Sequence, residues 1–218
     1  MGGGTPTTLS AEQLCRVLSL VKEKFDLSFL REFTVEAGRP DTITEGKLSI
    51  AKKYGVNRIS INPQTLNDNV LKLIGRRHTA GQFLDAYDLV SNSDIKHINT
   101  DLIAGLEGDT FESFKKTVDK ILELNPDNIT VHSFCVKKSA QVLRDNESIY
   151  DKYDLDAIKS VKYAYDTLTQ NGYEPYYMYR QKNTVSDLEN VGYAKKDAFG
   201  IYNVLMMAAY CTAVNFIV

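Results

Sequence analysis

Short β-prone runs alternate with amphipathic helical segments along most of this chain, and that alternation constrains the fold more than any other feature. Glu32–Glu36, Arg58–Ile61, Ile98–Ile103, Asn128–Phe134 and Glu174–Tyr179 read as strands. The helical segments begin with residues 10 to 25, opened by the Ser10/Gln13 capping-box pattern. Glu45–Tyr54 follows, stopped by Gly55, and then Leu66–Ile74 and Ala80–Val90. Phe111–Leu124 ends at Asn125-Pro126, and Asp154–Gln170 at Asn171-Gly172. Most strand-to-strand intervals are roughly 30 to 45 residues, room for a crossover helix and a parallel return. The expected fold is α/β with five parallel strands, as a barrel or a doubly wound sheet.

Composition narrows the setting. A chain of 218 residues is long enough for one domain with a full core. The 26 basic and 28 acidic side chains leave a net charge of −2, which gives no general pull toward nucleic acid or an anionic membrane. No apolar run reaches the roughly 18 residues of a membrane span, and no secretory leader opens the sequence, so a cytoplasmic location is expected. Met1-Gly2 opens like a myristoylation signal, but Pro6 stands where that signal needs Ser or Thr. Cys15, Cys135 and Cys211 are scattered without metal-ligand spacing, so no metal ligands are assigned. Beyond Ser186 the alternation loosens, and Thr212–Val218 is apolar and β-prone, an edge that needs cover.

Polar residues recur at the ends of the expected strands. Glu36 closes the first, Gln64 follows the second, Asp101 is near the end of the third, and His132, Ser133 and Cys135 close the fourth. In parallel βα architectures these ends converge on one mouth. Each has a structural alternative: a helix cap for Glu36, a turn for Gln64, an ion pair with a lysine for Asp101. Arg76-Arg77-His78 reads either as positive charge at a helix C-terminus or as a guanidinium fork for a carboxylate. Gly2-Gly3-Gly4-Thr5-Pro6-Thr7 reads either as a turn or as an amide cradle, and it is not a Walker A loop. No catalytic base–nucleophile pair emerges, so the catalytic residues stay unassigned.

These residues together resemble a family. Gly2–Thr7 is similar to the glycine motif of radical S-adenosylmethionine enzymes, in the form found in oxygen-independent coproporphyrinogen III oxidases. Thr34-Val35-Glu36-Ala37, Gly55–Gln64, Leu73–His78, Asn99–Leu106 and Leu124–His132 follow in the family's order. His132-Ser133, Tyr179-Arg180-Gln181-Lys182-Asn183 and Glu189–Tyr193 resemble the coproporphyrinogen dehydrogenase (HemZ-like) branch.

The resemblance implies a partial (β/α)6 TIM-like barrel missing its first strands, covering 1–185, with the start of a C-terminal extension in 186–218. It implies S-adenosylmethionine bound beside a [4Fe–4S] cluster, and an oxidoreductase of porphyrin and haem biosynthesis. The reaction would be oxidative decarboxylation of coproporphyrinogen III propionates to vinyls, giving protoporphyrinogen IX. A tetrapyrrole is the implied substrate, with a flavodoxin or ferredoxin as electron donor. By position, Gly3, Gly4 and Thr5 would hold the cofactor's amino-acid portion and Glu36 its polar atoms. Gln64, Arg76, Asp101 and the backbone at Cys135 would complete the pocket, including a second S-adenosylmethionine position. The family's CxxxCxxC cluster loop precedes the glycine motif, so this polypeptide is expected to lack the cluster ligands and to be inactive alone. Cys135 also replaces a small residue of the family pattern. The alternative reading is a non-catalytic haem- or tetrapyrrole-binding relative, with His132 or His78 as candidate ligand.

Overall fold

The computed structural model describes residues 1–135, 154–181 and 184–208. Six strands form one mixed sheet: β1 (Thr34–Glu36), β2 (Arg58–Ser60), β3 (His97–Ala104), β4 (Asn128–Ser133), β5 (Glu174–Tyr179) and β6 (Asn190–Ala194). Their order is β1-β2-β3-β4-β6-β5, with β1 and β5 at opposite ends, so the sheet is an unclosed, partial barrel. The helices are α1 (Ala11–Lys24), α2 (Glu45–Lys53), α3 (Asp68–Leu73), α4 (Ala80–Ser91), α5 (Phe111–Leu124), α6 (Leu155–Gln170) and α7 (Ile201–Met207).

The expected helices form because both ends carry local stop signals. Ser10/Gln13 and Thr79/Gln82 make reciprocal capping boxes at the starts of α1 and α4. Asn125 closes α5 in the left-handed conformation, with φ of 57°. The five expected strands, β1 to β5, all run in one direction, but a sixth that was not expected, β6, is wedged antiparallel between β4 and β5, so β5 does not pair with β4. The segment joining β5 to β6 is short, which suits antiparallel neighbours and leaves no room for a crossover helix. β6 is hard to read from sequence because Gly192 interrupts it. A Cβ there would lie 1.8 Å from Tyr177 Cε1, since the tyrosine ring lies over the bare backbone. β6, past residue 185, pairs inside the same sheet. The β-prone stretch Thr212–Val218 and Cys211 lie outside the described residues.

The two sheet faces differ in chemistry. In β3, burial alternates residue by residue, with Ile98, Thr100, Leu102 and Ala104 buried. Ile98 and Leu102 join Val35, Ile59, Ile129 and Val131 in one core with Leu14, Leu18, Leu48, Phe83, Phe114, Val118 and Ile121 of the helices. Full burial of each large apolar chain contributes about 1.5–3 kcal/mol. The other face is polar. Parallel register aligns Glu36 with Ser60, Ser60 with Asn99, and Asn99 with Asn128; two residues on, Asp101 aligns with Thr130. The end of this face nearest the strand N-termini is tied to the start of α7. Arg58, only 3% exposed, pairs with Glu32 at 3.2 Å. It also donates to Asn99 Oδ1 and to the carbonyls of Ala198 and Phe199, while Glu32 accepts from the Ile201 amide.

Candidate functional site

The opposite end, at the C-termini of β1 to β4, gathers most of the expected site residues. The Glu36 amide donates to the Met1 carbonyl at 2.9 Å, so the glycine loop leaves from beside the end of β1. Gly3 and Gly4 have φ of 87° and 106°, a region that side-chain-bearing residues avoid. Space is not the constraint there, since a Cβ at either would meet nothing within 4 Å. A Cβ at Gly2 would lie 3.2 Å from Glu36 Cγ, which puts the loop directly over that carboxylate. Thr5 then leads into the 3-10 turn Pro6–Thr8.

Glu36 is the most perturbed carboxylate of this end. Burial, and next the charge of Asp101, push its pKa up to about 7, against the Met1 ammonium and a hydrogen bond from Ser60. Asp101 lies in the middle of β3 rather than at its end, but its side chain faces the same polar side and is 27% exposed. Its Oδ2 is 3.7 Å from His132 Nε2, and His132 Nδ1 lies 3.2 Å from the Tyr179 hydroxyl. Gln64 is buried with φ of 67°. Its amide donates to the Asp101 carbonyl and its carbonyl accepts from Ile103, so this strained residue is locked against β3.

The remaining expected residues sit around this group. Cys135, just past β4, bridges antiparallel to Thr184. Arg76 follows Gly75 beyond the end of α3, on the loop before α4, where its charge is opposed by burial and by Arg39. That position weakens the reading as a charge at a helix C-terminus, because Arg76 is past the last turn, and leaves the guanidinium fork open. His78 is 3% exposed and its ring hydrogen-bonds the backbone at Pro63, which closes it to a large ligand from outside. Sequence reasoning did not assign Ser60, Tyr179 or Arg39 to this end. Ser60 and Tyr179 become visible once the sheet register is known, and Arg39 only once the loops are placed.

Chemically, the arrangement is a pair of carboxylates beneath a glycine loop, with two guanidinium groups, Arg39 and Arg76, near each other on the loops that follow β1 and α3. That set suits a zwitterion, ammonium inward and carboxylate at the rim. Among the described residues no three His, Cys, Asp or Glu side chains are grouped to hold a metal ion. No helix among them is long and apolar enough to cross a membrane.

Comparison with known proteins follows the same lines. The family model of the Radical SAM superfamily matches residues 1–121. The chain is 38% identical over 215 residues to the oxygen-independent coproporphyrinogen-III oxidase-like protein HemZ of Bacillus subtilis, covering 98% of this chain and 43% of that protein. It is 35% identical over 178 residues to the heme chaperone HemW of Lactococcus lactis, covering 81% of this chain and 47% of that one. The solved structure of coproporphyrinogen III oxidase (HemN) from Escherichia coli, a radical SAM enzyme, superposes with a TM-score of 0.74 at 25% identity. That match covers 94% of this chain and 44% of the oxidase. The chain thus spans less than half the length of each of these relatives.

Proposed function

Because the chain belongs to the radical SAM superfamily, whose members use S-adenosylmethionine and a [4Fe–4S] cluster, we propose that its strand-end mouth is an S-adenosylmethionine site. The observation that carries this reading is the buried Glu36 carboxylate, held beside Asp101 and under the left-handed Gly3-Gly4 loop. Among the described residues no lysine or arginine ion-pairs with either carboxylate; His132 lies near Asp101, and the Met1 ammonium acts on Glu36. A ligand bearing an ammonium and a sulfonium supplies that charge. In this reading Gly3, Gly4 and Thr5 present backbone to the amino-acid end and Glu36 accepts from its ammonium. Arg76 takes its carboxylate, and Asp101 and Gln64 accept from and donate to ribose or amino groups. The backbone at Cys135 closes the pocket, and a second cofactor position belongs to the same set.

S-adenosylmethionine beside a reduced cluster supplies hydrogen-atom abstraction from an unactivated carbon. The described residues do not fit a cluster: Cys15 lies on α1 and Cys135 past β4, with no third ligand grouped near either. No step is therefore routed through a cluster in this chain. What its residues do is bind the cofactor, orient it by Asp101 and Gln64, and hold a proton on Glu36 until a cation displaces it.

For the protein to which this sequence belongs, we propose the reaction of its coproporphyrinogen oxidase relatives. Each reacting propionate of coproporphyrinogen III would lose CO2, one hydrogen atom and one electron to become a vinyl. The hydrogen would pass to the 5′-deoxyadenosyl part of S-adenosylmethionine and the electron to an acceptor, while a flavodoxin or ferredoxin would supply the electron for cofactor cleavage. Equilibrium dialysis of the 218-residue chain with S-adenosylmethionine tests the binding step. Saturable binding that tightens as pH rises through 7, and is lost in Glu36→Gln and Gly4→Val, is expected. No binding at any pH overturns the reading. Similarity to the heme chaperone favours a second reading, haem binding through His132 at the mouth. A haem titration whose Soret shift vanishes in His132→Ala would support it.

A further inference from the structure

The rim carries one more cation than a single amino-acid ligand needs. Arg39 precedes the 3-10 turn Pro40–Thr42, just past the end of β1, and its side chain makes no cap. That turn is fixed on both sides. Thr42 Oγ1 lies 2.6 Å from Thr7 Oγ1, and Lys47 Nζ bridges the Thr7 and Thr42 carbonyls, which ties the turn to the glycine loop. On its other side α4 packs against it. The loop leading into α4 carries Arg76 and is anchored by His78, whose ring hydrogen-bonds the backbone at Pro63, next to Gln64. Arg39 therefore stands between the glycine loop and Arg76.

Neither guanidinium has an acidic partner among the described residues. The acids nearest in chain and charge, Asp41 and Asp68, act on His78, and Asp68 Oδ1 is already taken by the Ala80 amide. Arg76 is half-buried and disfavoured by its neighbour's like charge. Exposed Arg39 and half-buried Arg76 repel each other, and bound anions relieve that repulsion. One carboxylate satisfies one of them.

We propose that Arg39 and Arg76 form a two-carboxylate rim, in which Arg76 holds the cofactor's carboxylate and Arg39 holds a carboxylate of the substrate. This inference rests on the mouth being the S-adenosylmethionine site. It adds to that reading the residue that recognises a carboxylate of the propionate-bearing substrate. Arg39 is then a specificity determinant that touches substrate and leaves the cofactor alone.

The test uses coproporphyrin III, a stable tetrapropionate, and its tetramethyl ester as probes. Binding is followed by porphyrin fluorescence anisotropy in the presence of saturating S-adenosylmethionine. Loss of one charge-assisted contact predicts that Arg39→Gln binds coproporphyrin III about tenfold more weakly or worse. Arg39→Lys should recover part of the loss. The ester should bind wild type and Arg39→Gln alike, and S-adenosylmethionine affinity should fall in Arg76→Gln but not in Arg39→Gln. Equal coproporphyrin affinity in wild type and Arg39→Gln overturns the proposal, as does an equal loss for the ester or no porphyrin binding at all. Loss of S-adenosylmethionine binding in Arg39→Gln also overturns it, since Arg39 would then serve the cofactor. If wild type binds no S-adenosylmethionine, the underlying reading of the mouth fails instead.

Discussion

Replacing Glu36 by glutamine should stabilise the ligand-free protein at neutral and alkaline pH and leave it unchanged in acid. The folded protein holds the Glu36 proton more tightly than the unfolded chain, because the carboxyl rises from an ordinary 4.5 to about 7. Between those values the folded state binds more protons, so stability falls as pH rises and the full cost is present above about 7. One pH step corresponds to about 1.4 kcal/mol, so the interval amounts to about 3 kcal/mol. Burial is the main cause, the charge of Asp101 the second, and Glu32 adds a little; the Met1 ammonium and the Ser60 hydroxyl act in the opposite direction. Glutamine keeps an acceptor for Ser60 while removing the charge. Urea unfolding of wild type and Glu36→Gln in steps from pH 4 to pH 8.5 measures the difference directly. The two should coincide near pH 4 and separate through the range to about 7, with Asp101→Asn narrowing the gap. A difference that stays flat with pH, or a Glu36→Gln protein that is weaker throughout, would refute the argument that this carboxylate is held against its own ionisation. The same stored cost explains why a cationic ligand should gain affinity over the same interval.

Other perturbations probe the frame around the mouth. Arg58→Ala strips the guanidinium from nearly buried Glu32 and leaves Asn99 Oδ1 and the Phe199 carbonyl without their donor, while the Ala198 carbonyl keeps Asn128, so urea unfolding should show a loss of about 3–5 kcal/mol. Arg58→Met should lose less if Glu32→Gln is made with it. Gly192→Ala drives a Cβ into the Tyr177 ring at 1.8 Å; overpacking of about 1–3 kcal/mol should lower the melting temperature, and Tyr177→Ala in the same chain should return most of it. Asn125→Ala should cost about 1 kcal/mol in the left-handed cap of α5, whereas Asn125→Gly should be near neutral by the same assay. Anaerobic iron and sulfide treatment of the 218-residue polypeptide should give no [4Fe–4S] absorption, and a stable stoichiometric cluster would show that the cysteine argument is wrong.

Much of the frame was legible because it is written locally. Ser10 with Gln13 before α1, Gly55 after α2, Asn125-Pro126 after α5 and Asn171-Gly172 after α6 are signals carried within a few residues of the boundary they set. The parallel start of the sheet followed from helix-length intervals between strands. Glu36 and Gln64 were legible as strand-end residues for the same reason, whereas Asp101 lies mid-strand and joins them only through the polar face of the sheet. The order of the last two strands was not legible, because β6 is short, contains Gly192, and gains its place only from pairing with both β4 and β5.

The sequence by itself determined helices α1 to α6, strands β1 to β5, the glycine loop and the kinds of polar group available at the strand ends. Only the tertiary structure decided what those groups became. Arg58 reaches carbonyls 140 residues away in the chain, and His132 meets a tyrosine 47 residues further on. Asp101 and Glu36 became neighbours when their strands were aligned through β2, and that proximity, with burial, gave Glu36 its held proton. Local propensity acts over a few residues of chain. Burial and charge act over a few ångströms of space, and only a folded sheet brings distant residues within that reach.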